Sequence, residues 1–185
     1  MSSLCFASNR QHILGSANDY AARIWDLSTG KVLKTLTGHT GAVTATRYLT
    51  PTSVVTGSSD RTLRVWDLNK IACIKTLWPS SKCTDVASLA IDGTLIASAH
   101  FNKQVHFYDY RQKTDAAIVK LTSRVTGLAG APDFGTDLLA VTRDNNIHVI
   151  DSRQMQTKMR LTEANFKVVA DYSRCAFSVS ILELP

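Results

Sequence analysis

No apolar run in the chain approaches the ~18 consecutive residues of a membrane-spanning helix, and nothing in it reads as a span. The first ten residues, MSSLCFASNR, lack the basic start and the apolar core of ~7–15 residues that mark a secretory signal. Cysteine is sparse: Cys5, Cys73, Cys83 and Cys175 show neither CxxC pairing nor framework spacing. Unpaired thiols fit a reducing compartment, so the expectation is a cytoplasmic protein. The net charge is +6, yet no run of five or six bases occurs. Dispersed charge makes a generally basic surface rather than a dedicated polyanion site. Nucleic-acid binding and membrane insertion are therefore not expected.

Chemistry-bearing motifs are equally scarce. His12, His39, His100, His106 and His148 have no Cys or His partner at zinc-like spacing. Asp92-Gly93 lacks the alternating acids of a calcium loop. Gly127 and Gly130 are not followed by the Gly-Lys-Ser/Thr of a phosphate loop, and no GxSxG nucleophile elbow occurs. The sequence predicts no cofactor, no metal and no catalytic role.

What the chain does have is a repeat. Asp19, Asp60, Asn102 and Asp144 each stand six residues before Trp25, Trp66, Tyr108 and Ile150, and an Asp follows each of those. The closing aspartates fall at 26, 67, 109 and 151, so the steps are 41, 42 and 42 residues. Self-similarity at ~40–45 residues, with four short strands per unit, is the mark of a propeller blade. In the second unit, residues 42–49, 53–58, 62–68 and 72–77 are β-branched-rich runs separated by turn formers, a four-stranded meander a to d. Asp26-Leu27-Ser28-Thr29-Gly30 supplies a c–d turn, with Gly30 free to take positive φ.

The pattern gives its polar residues a shared structural task. Asp60 sits in the b–c turn, and the Trp66 indole N–H at the end of strand c needs a buried acceptor. His39, Ser58, Asp60 and Trp66 are expected to form a network pinning the d–a loop to the b–c turn. The indole should lie near Ser58, with His39 bridging Ser58 and Asp60. Asp19 and Trp25 keep part of this network in the first unit and Asp144 in the fourth, whereas blades 3 and 4 should lean more on packing. Ser58, His39 and Asp60 also spell a hydrolase triad, but residues that punctuate every repeat serve architecture. The d–a loops and b–c turns gather on one face, a natural docking platform. Tyr20, Thr40, Arg61, Lys82, Phe101, Lys103, Arg143 and Asn145 are expected to point there. This mixture of aromatic and basic residues is typical of interface anchors.

These residues resemble the WD-repeat β-propeller family over roughly residues 1–160. GSANDYAARIWD, LTGHTGAV, GSSDRTLRVWDL followed by CIKTL, SAHFNKQVHFYD and TRDNNIHVID are similar, in that order, to successive blades of the C-terminal propeller of autophagy-related protein 16-like scaffolds. The resemblance implies an all-β WD-repeat propeller of the seven-bladed type and a non-catalytic, cytoplasmic scaffold that binds protein ligands on a propeller face. It also implies support of autophagosome formation and of lipidation of a ubiquitin-like modifier, with the conjugation complex engaged through segments outside this chain. A generic WD-repeat adaptor of a ubiquitin-ligase or chromatin complex is the alternative. The expected blades are about 1–36, 37–78, 79–120 and 121–160, with 161–178 opening a fifth and 179–185 a divergent tail. At the family period that is about 4.4 blades, an open arc whose end sheets expose apolar residues. Those expected to alternate there are Leu14, Ile24 and Val32, and Leu139, Ile147 and Val149.

Overall fold

The computed structural model describes residues 3–89, 95–110, 115–130 and 137–162. The expected fifth-blade segment from residue 163 on, the tail, Cys175 and Asp92-Gly93 lie outside the described residues; Leu161 and Thr162 belong to the last strand of the fourth sheet. Those residues form sixteen strands in four sheets, each a four-stranded antiparallel meander of consecutive strands. The first sheet comprises β1 (Ser3–Phe6), β2 (His12–Ser16), β3 (Ala22–Asp26) and β4 (Val32–Leu36). The second comprises β5 (Val43–Thr50), β6 (Ser53–Ser58), β7 (Leu63–Asp67) and β8 (Ala72–Leu77). The third comprises β9 (Cys83–Ser88), β10 (Leu95–His100), β11 (Gln104–Asp109) and β12 (Asp115–Lys120). The fourth comprises β13 (Val125–Gly130), β14 (Asp137–Thr142), β15 (Asn146–Asp151) and β16 (Gln156–Thr162).

Strand alternation makes every interior sheet two-sided. In the second sheet, Val54 and Trp66 pack with Leu14, Ile24 and Leu36 of the first sheet. Their neighbours Val55 and Val65 pack with Val86, Ile96 and Tyr108 of the third. Ala97, Val105 and Phe107 of the third meet Leu128, Leu138 and Ile150 of the fourth. The inner strands are also stitched together. The Thr46 N–H donates to Ser3 Oγ at 3.3 Å, Thr44 Oγ1 to the Cys83 carbonyl at 2.9 Å, and the Leu128 N–H to Asp85 Oδ2 at 2.8 Å. Stacked in chain order, the four blades make an open arc. Leu14 and Ile24, expected on an open end face, are instead buried against the second sheet. The solvent-facing side of the first sheet belongs to the opposite parity, which carries Leu4 and Phe6.

The four b–c turns share one backbone device. The residue after each turn Asp or Asn is left-handed: Tyr20 at φ 68°, Arg61 at 67°, Lys103 at 67° and Asn145 at 62°. A left-handed residue closes a tight connection between antiparallel strands, and its side chain is thrown outward from the turn. Gly30 at φ 68° fills the corresponding place in the first c–d turn, where Ile71 and Met155 take it in the second and fourth blades.

Candidate functional site

In the second blade the b–c end is knit by a directional chain of hydrogen bonds. The Trp66 indole N–H donates to Thr56 Oγ1 at 2.9 Å. With that lone pair occupied, the Thr56 hydroxyl donates to His39 Nε2 at 2.7 Å, and His39 Nδ1–H donates to Asp60 Oδ2 at 2.8 Å. Burial pushes the His39 imidazole below its usual pKa and outweighs the pull of Asp60, so the ring is neutral. Asp60 is held below the usual carboxylate range: burial opposes this, but the Thr62 hydroxyl, His39 and the Thr40 N–H together prevail. Thr40 N–H and Thr62 N–H reach it at 3.0 and 2.8 Å.

The acceptor of the indole is thus Thr56, not Ser58. Trp66 lies opposite Val54 in the β6–β7 ladder, and Thr56 is one pair further along the same face. An indole reaches that diagonal neighbour; Ser58, two pairs away at ~3.3 Å per residue, is beyond it. Ser58 closes the loop differently, donating to the Gly41 carbonyl at 3.0 Å and accepting from the Asp60 N–H at 3.1 Å. Thr56, His39 and Asp60 have the connectivity of a hydrolase triad. Thr56 is 0% exposed, however, and its oxygen is saturated by the indole, so no substrate carbonyl can approach it.

The other blades rebuild this end from different parts. In the first, Asp19 pairs with Arg23 at 2.5 Å, and Trp25 covers Gly15, where a Cβ would stand 2.8 Å from the indole ring. In the fourth, Asp144 accepts from Thr122 at 2.6 Å and from Thr142 at 2.5 Å. The third blade was expected to rely on packing, but it carries a histidine network. His100 Nδ1–H donates to the Ser81 carbonyl at 3.1 Å, and Ser98 Oγ donates to its Nε2 at 2.7 Å. His106 stands edge-on to it with ring centroids 4.6 Å apart, and Tyr108 OH lies 3.1 Å from His106 Nδ1. His100 occupies the strand position of Ser58, one repeat on, and its ring takes the place that His39 fills from the loop. The signal available in sequence was the pair of histidines flanking one turn.

At the solvent end, Tyr20, Thr40, Arg61, Lys82, Phe101, Lys103 and Arg143 are exposed and Asn145 is half-buried. Part of this set is joined directly. The Phe101 N–H donates to the Lys82 carbonyl at 3.0 Å, Arg124 lies 4.6 Å over the Phe101 ring, and the Arg143 N–H donates to the Arg124 carbonyl at 2.9 Å. Tyr20 sits two blades away, in the first b–c turn. Asp19 is paired with Arg23 and the Asp60 carboxylate is buried, whereas Asp144 is exposed; among the described residues the cations of this end outnumber its carboxylates. Two contributors escaped the sequence reading: Arg124, which enters the patch by stacking on Phe101, and Trp78. The Trp78 side chain is 76% exposed in the loop after β8, where the preceding repeat has Thr37. Among the described residues no group of three His, Cys, Asp or Glu could hold a metal, and no helix is long and apolar enough to cross a membrane.

Repeated four-stranded meanders, stacked in chain order and each with an Asp or Asn in its b–c turn, define a WD-repeat β-propeller. The chain belongs to the WD-repeat proteins. The WD domain, G-beta repeat family matches residues 30–67. The chain is 31% identical over 178 residues to Protein tipD of Dictyostelium discoideum, covering 95% of this chain and 29% of that protein. It is 32% identical over 158 residues to Autophagy-related protein 16 of Arabidopsis thaliana, 84% of this chain and 31% of that protein. It is 29% identical over 125 residues to Ribosome biogenesis protein YTM1 of Eremothecium gossypii, 61% of this chain and 28% of that protein. The chain spans under a third of each of these relatives.

Proposed function

We propose that this WD-repeat segment is a non-catalytic, cytoplasmic protein-interaction scaffold of the autophagy-related 16 type. It presents its b–c and d–a end to protein ligands and reaches autophagosome precursor membranes through them. In this reading Asp19, Trp25, His39, Ser58, Asp60, Trp66 and Asp144 hold the turns in place. Tyr20, Thr40, Arg61, Lys82, Phe101, Lys103, Arg143 and Asn145 provide the docking face. The observation that carries the reading is the joined patch of Lys82, Phe101, Arg124 and Arg143: an aromatic and several cations, set on a hydrogen-bonded base. Pre-organised aromatic and Arg side chains are what interface hot spots are made of. The similarity to Autophagy-related protein 16 supports the choice of pathway.

The test is affinity purification of the tagged chain from starved cells, beside a variant carrying Arg61→Glu and Lys103→Glu. Lys70→Glu, at the opposite end of the blades, is the control. Loss of autophagy proteins from the first variant and their retention in the control is the expected result. An unchanged partner set in both refutes the docking face. The likeness to YTM1 favours a second reading, an adaptor of another assembly. Co-purification of such an assembly in place of autophagy proteins would establish it.

A further inference from the structure

The loop that carries Trp78 and Lys82 is clamped to the third b–c turn by three hydrogen bonds. Asn102 Nδ2 donates to Ser80 Oγ at 3.4 Å, His100 Nδ1–H to the Ser81 carbonyl at 3.1 Å, and the Phe101 N–H to the Lys82 carbonyl at 3.0 Å. The middle bond comes from a fully buried imidazole whose other nitrogen accepts from Ser98. Beside it His106, also buried, accepts from Tyr108 OH at Nδ1 and donates from Nε2 to Gln104 Oε1 at 3.2 Å. Each ring is therefore hydrogen-bonded as the neutral tautomer, and the two stand 4.6 Å apart.

We propose that the His100–His106 pair is a proton-operated latch: uptake of a proton loosens the clamp between residues 78–82 and the 101–103 turn. The charged groups around the pair favour this outcome. Strand alternation places Cys83 of β9, Tyr108 of β11 and Lys120 of β12 on the same face of their sheet. From the second blade, Lys75 of β8 pairs with Val65, which packs against Tyr108. Lys82 and Lys103 flank the turn itself. Asp85 of β9 lies opposite Ala99 on the other face and accepts from Leu128, and Asp115 of β12 pairs with Tyr108 in the ladder. A proton on His100 thus meets a second imidazole, with no carboxylate among the described groups acting on it. Protonation also turns the Nε2 of His100 from acceptor to donor, so the Ser98 hydroxyl must rotate. Opening the loop gives the imidazole water instead, and a group that binds its proton better in the open state drives opening as pH falls. Burial and the neighbouring ring both depress His100, to about 4, which agrees with the geometry.

The consequence for partner binding rests on the docking-face reading, because the latch governs the loop beside Phe101. The latch itself is tested without any partner, by amide hydrogen exchange in the full 185-residue chain between pH 7 and pH 5. After correction for intrinsic exchange chemistry, the Phe101 amide should open up to about tenfold more per pH unit below about 6.5, the slope for one proton gained. The Val65 amide, in a central strand of the second blade, opens only with the whole fold and should stay far better protected than Phe101 at every pH. His100→Asn keeps a donor for the Ser81 carbonyl but cannot titrate, and should flatten the response at Phe101; His106→Gln removes the neighbouring ring that depresses His100, so the onset should stay while the response levels off at higher pH. NMR titration of wild type should find His100 neutral in the closed chain at pH 5.5. The latch is refuted by equal opening free energies at Phe101 and Val65, which mean global unfolding. It is equally refuted by an unchanged slope in His100→Asn, or by a protonated His100 with Phe101 still protected. None of these outcomes depends on what docks.

Discussion

At the residue scale, the second blade hinges on one hydroxyl. Thr56 receives the Trp66 indole and supplies the proton that His39 Nε2 accepts, all at full burial. Thr56→Val keeps the shape and strands both partners, each a desolvated polar group worth ~1–3 kcal/mol. We expect a loss of about 2–4 kcal/mol by urea denaturation; a loss below about 1 kcal/mol would show that water enters and replaces the hydroxyl. A gain is expected at Ile71, a β-branched residue at φ 52° in a c–d turn. Left-handed backbone costs an L-residue ~1–2 kcal/mol, so Ile71→Gly should raise the melting temperature by a few degrees, whereas Gly30→Ile should lower it. Acid acts through the buried imidazoles. His100 in the folded chain sits at about 4, below the ordinary value of 6.5. Its contribution is complete above about pH 6.5 and is lost as pH falls toward 4, by about 3 kcal/mol for this ring. His39 and His148 are depressed in the same direction by burial. The chain should therefore lose stability steadily between pH 6.5 and 4.5 in denaturant titrations, and a flat profile there would contradict neutral buried histidines. The choice of Thr56 over Ser58 was not legible in sequence, because both lie on one face of β6 and only the reach of the indole separates them.

At the element scale, the repeat period and the strands were legible, because each hydrophobic alternation ends in a turn former. SVVTGS and ACIKTL coincide with β6 and β8 residue for residue. Less visible was a bulge that recurs between strands c and d of every blade: at Ile24/Trp25, Val65/Trp66, Phe107/Tyr108 and Val149/Ile150. Such a bulge twists the outer strand. That strand also carries one lysine per blade (Lys34, Lys75, Lys120 and Lys158), and both devices protect an exposed sheet edge from pairing with another chain. Between blades the fit is close. A Cβ on Gly57 would meet the Cys83 sulfur and stand 3.0 Å from Val86 Cγ2. Gly57→Ala must push the second and third sheets apart, and overpacking of this kind costs ~1–3 kcal/mol. A guanidinium melt should register that loss; a neutral result would mean that Cys83 swings aside freely, which Cys83→Ser in the same background would reveal.

At the scale of the whole molecule, parity within one strand decides what the arc exposes. Leu14 and Ile24 face inward to the second sheet, so the open side of the first sheet falls to Leu4, Phe6 and the Trp25 face, with Leu4 54% and Phe6 63% exposed. The sequence repeat alone did not settle this, because a one-residue shift in strand phase moves every side chain to the other face. Leu139, Ile147 and Val149 are half-buried in the fourth blade, on the face turned away from Leu138 and Ile150. Propeller blades normally meet face to face, and repeat arrays need their end faces covered by polar capping units or by a neighbour. Contiguous apolar faces much above a few hundred Å² are unusual on a soluble monomer. The net charge of +6 opposes association only over about a Debye length, roughly 8–10 Å in physiological salt. The 185-residue chain, prepared alone, should therefore self-associate or bind a hydrophobic dye, and raising the salt should strengthen both. Leu4→Lys with Phe6→Lys should shift light scattering toward the monomer and cut dye binding severalfold, because the two lysines stand on the face that associates. If the unmodified chain proves monomeric and dye-free at micromolar concentration and in high salt, the first sheet is covered, and the arc is not the form it takes in solution.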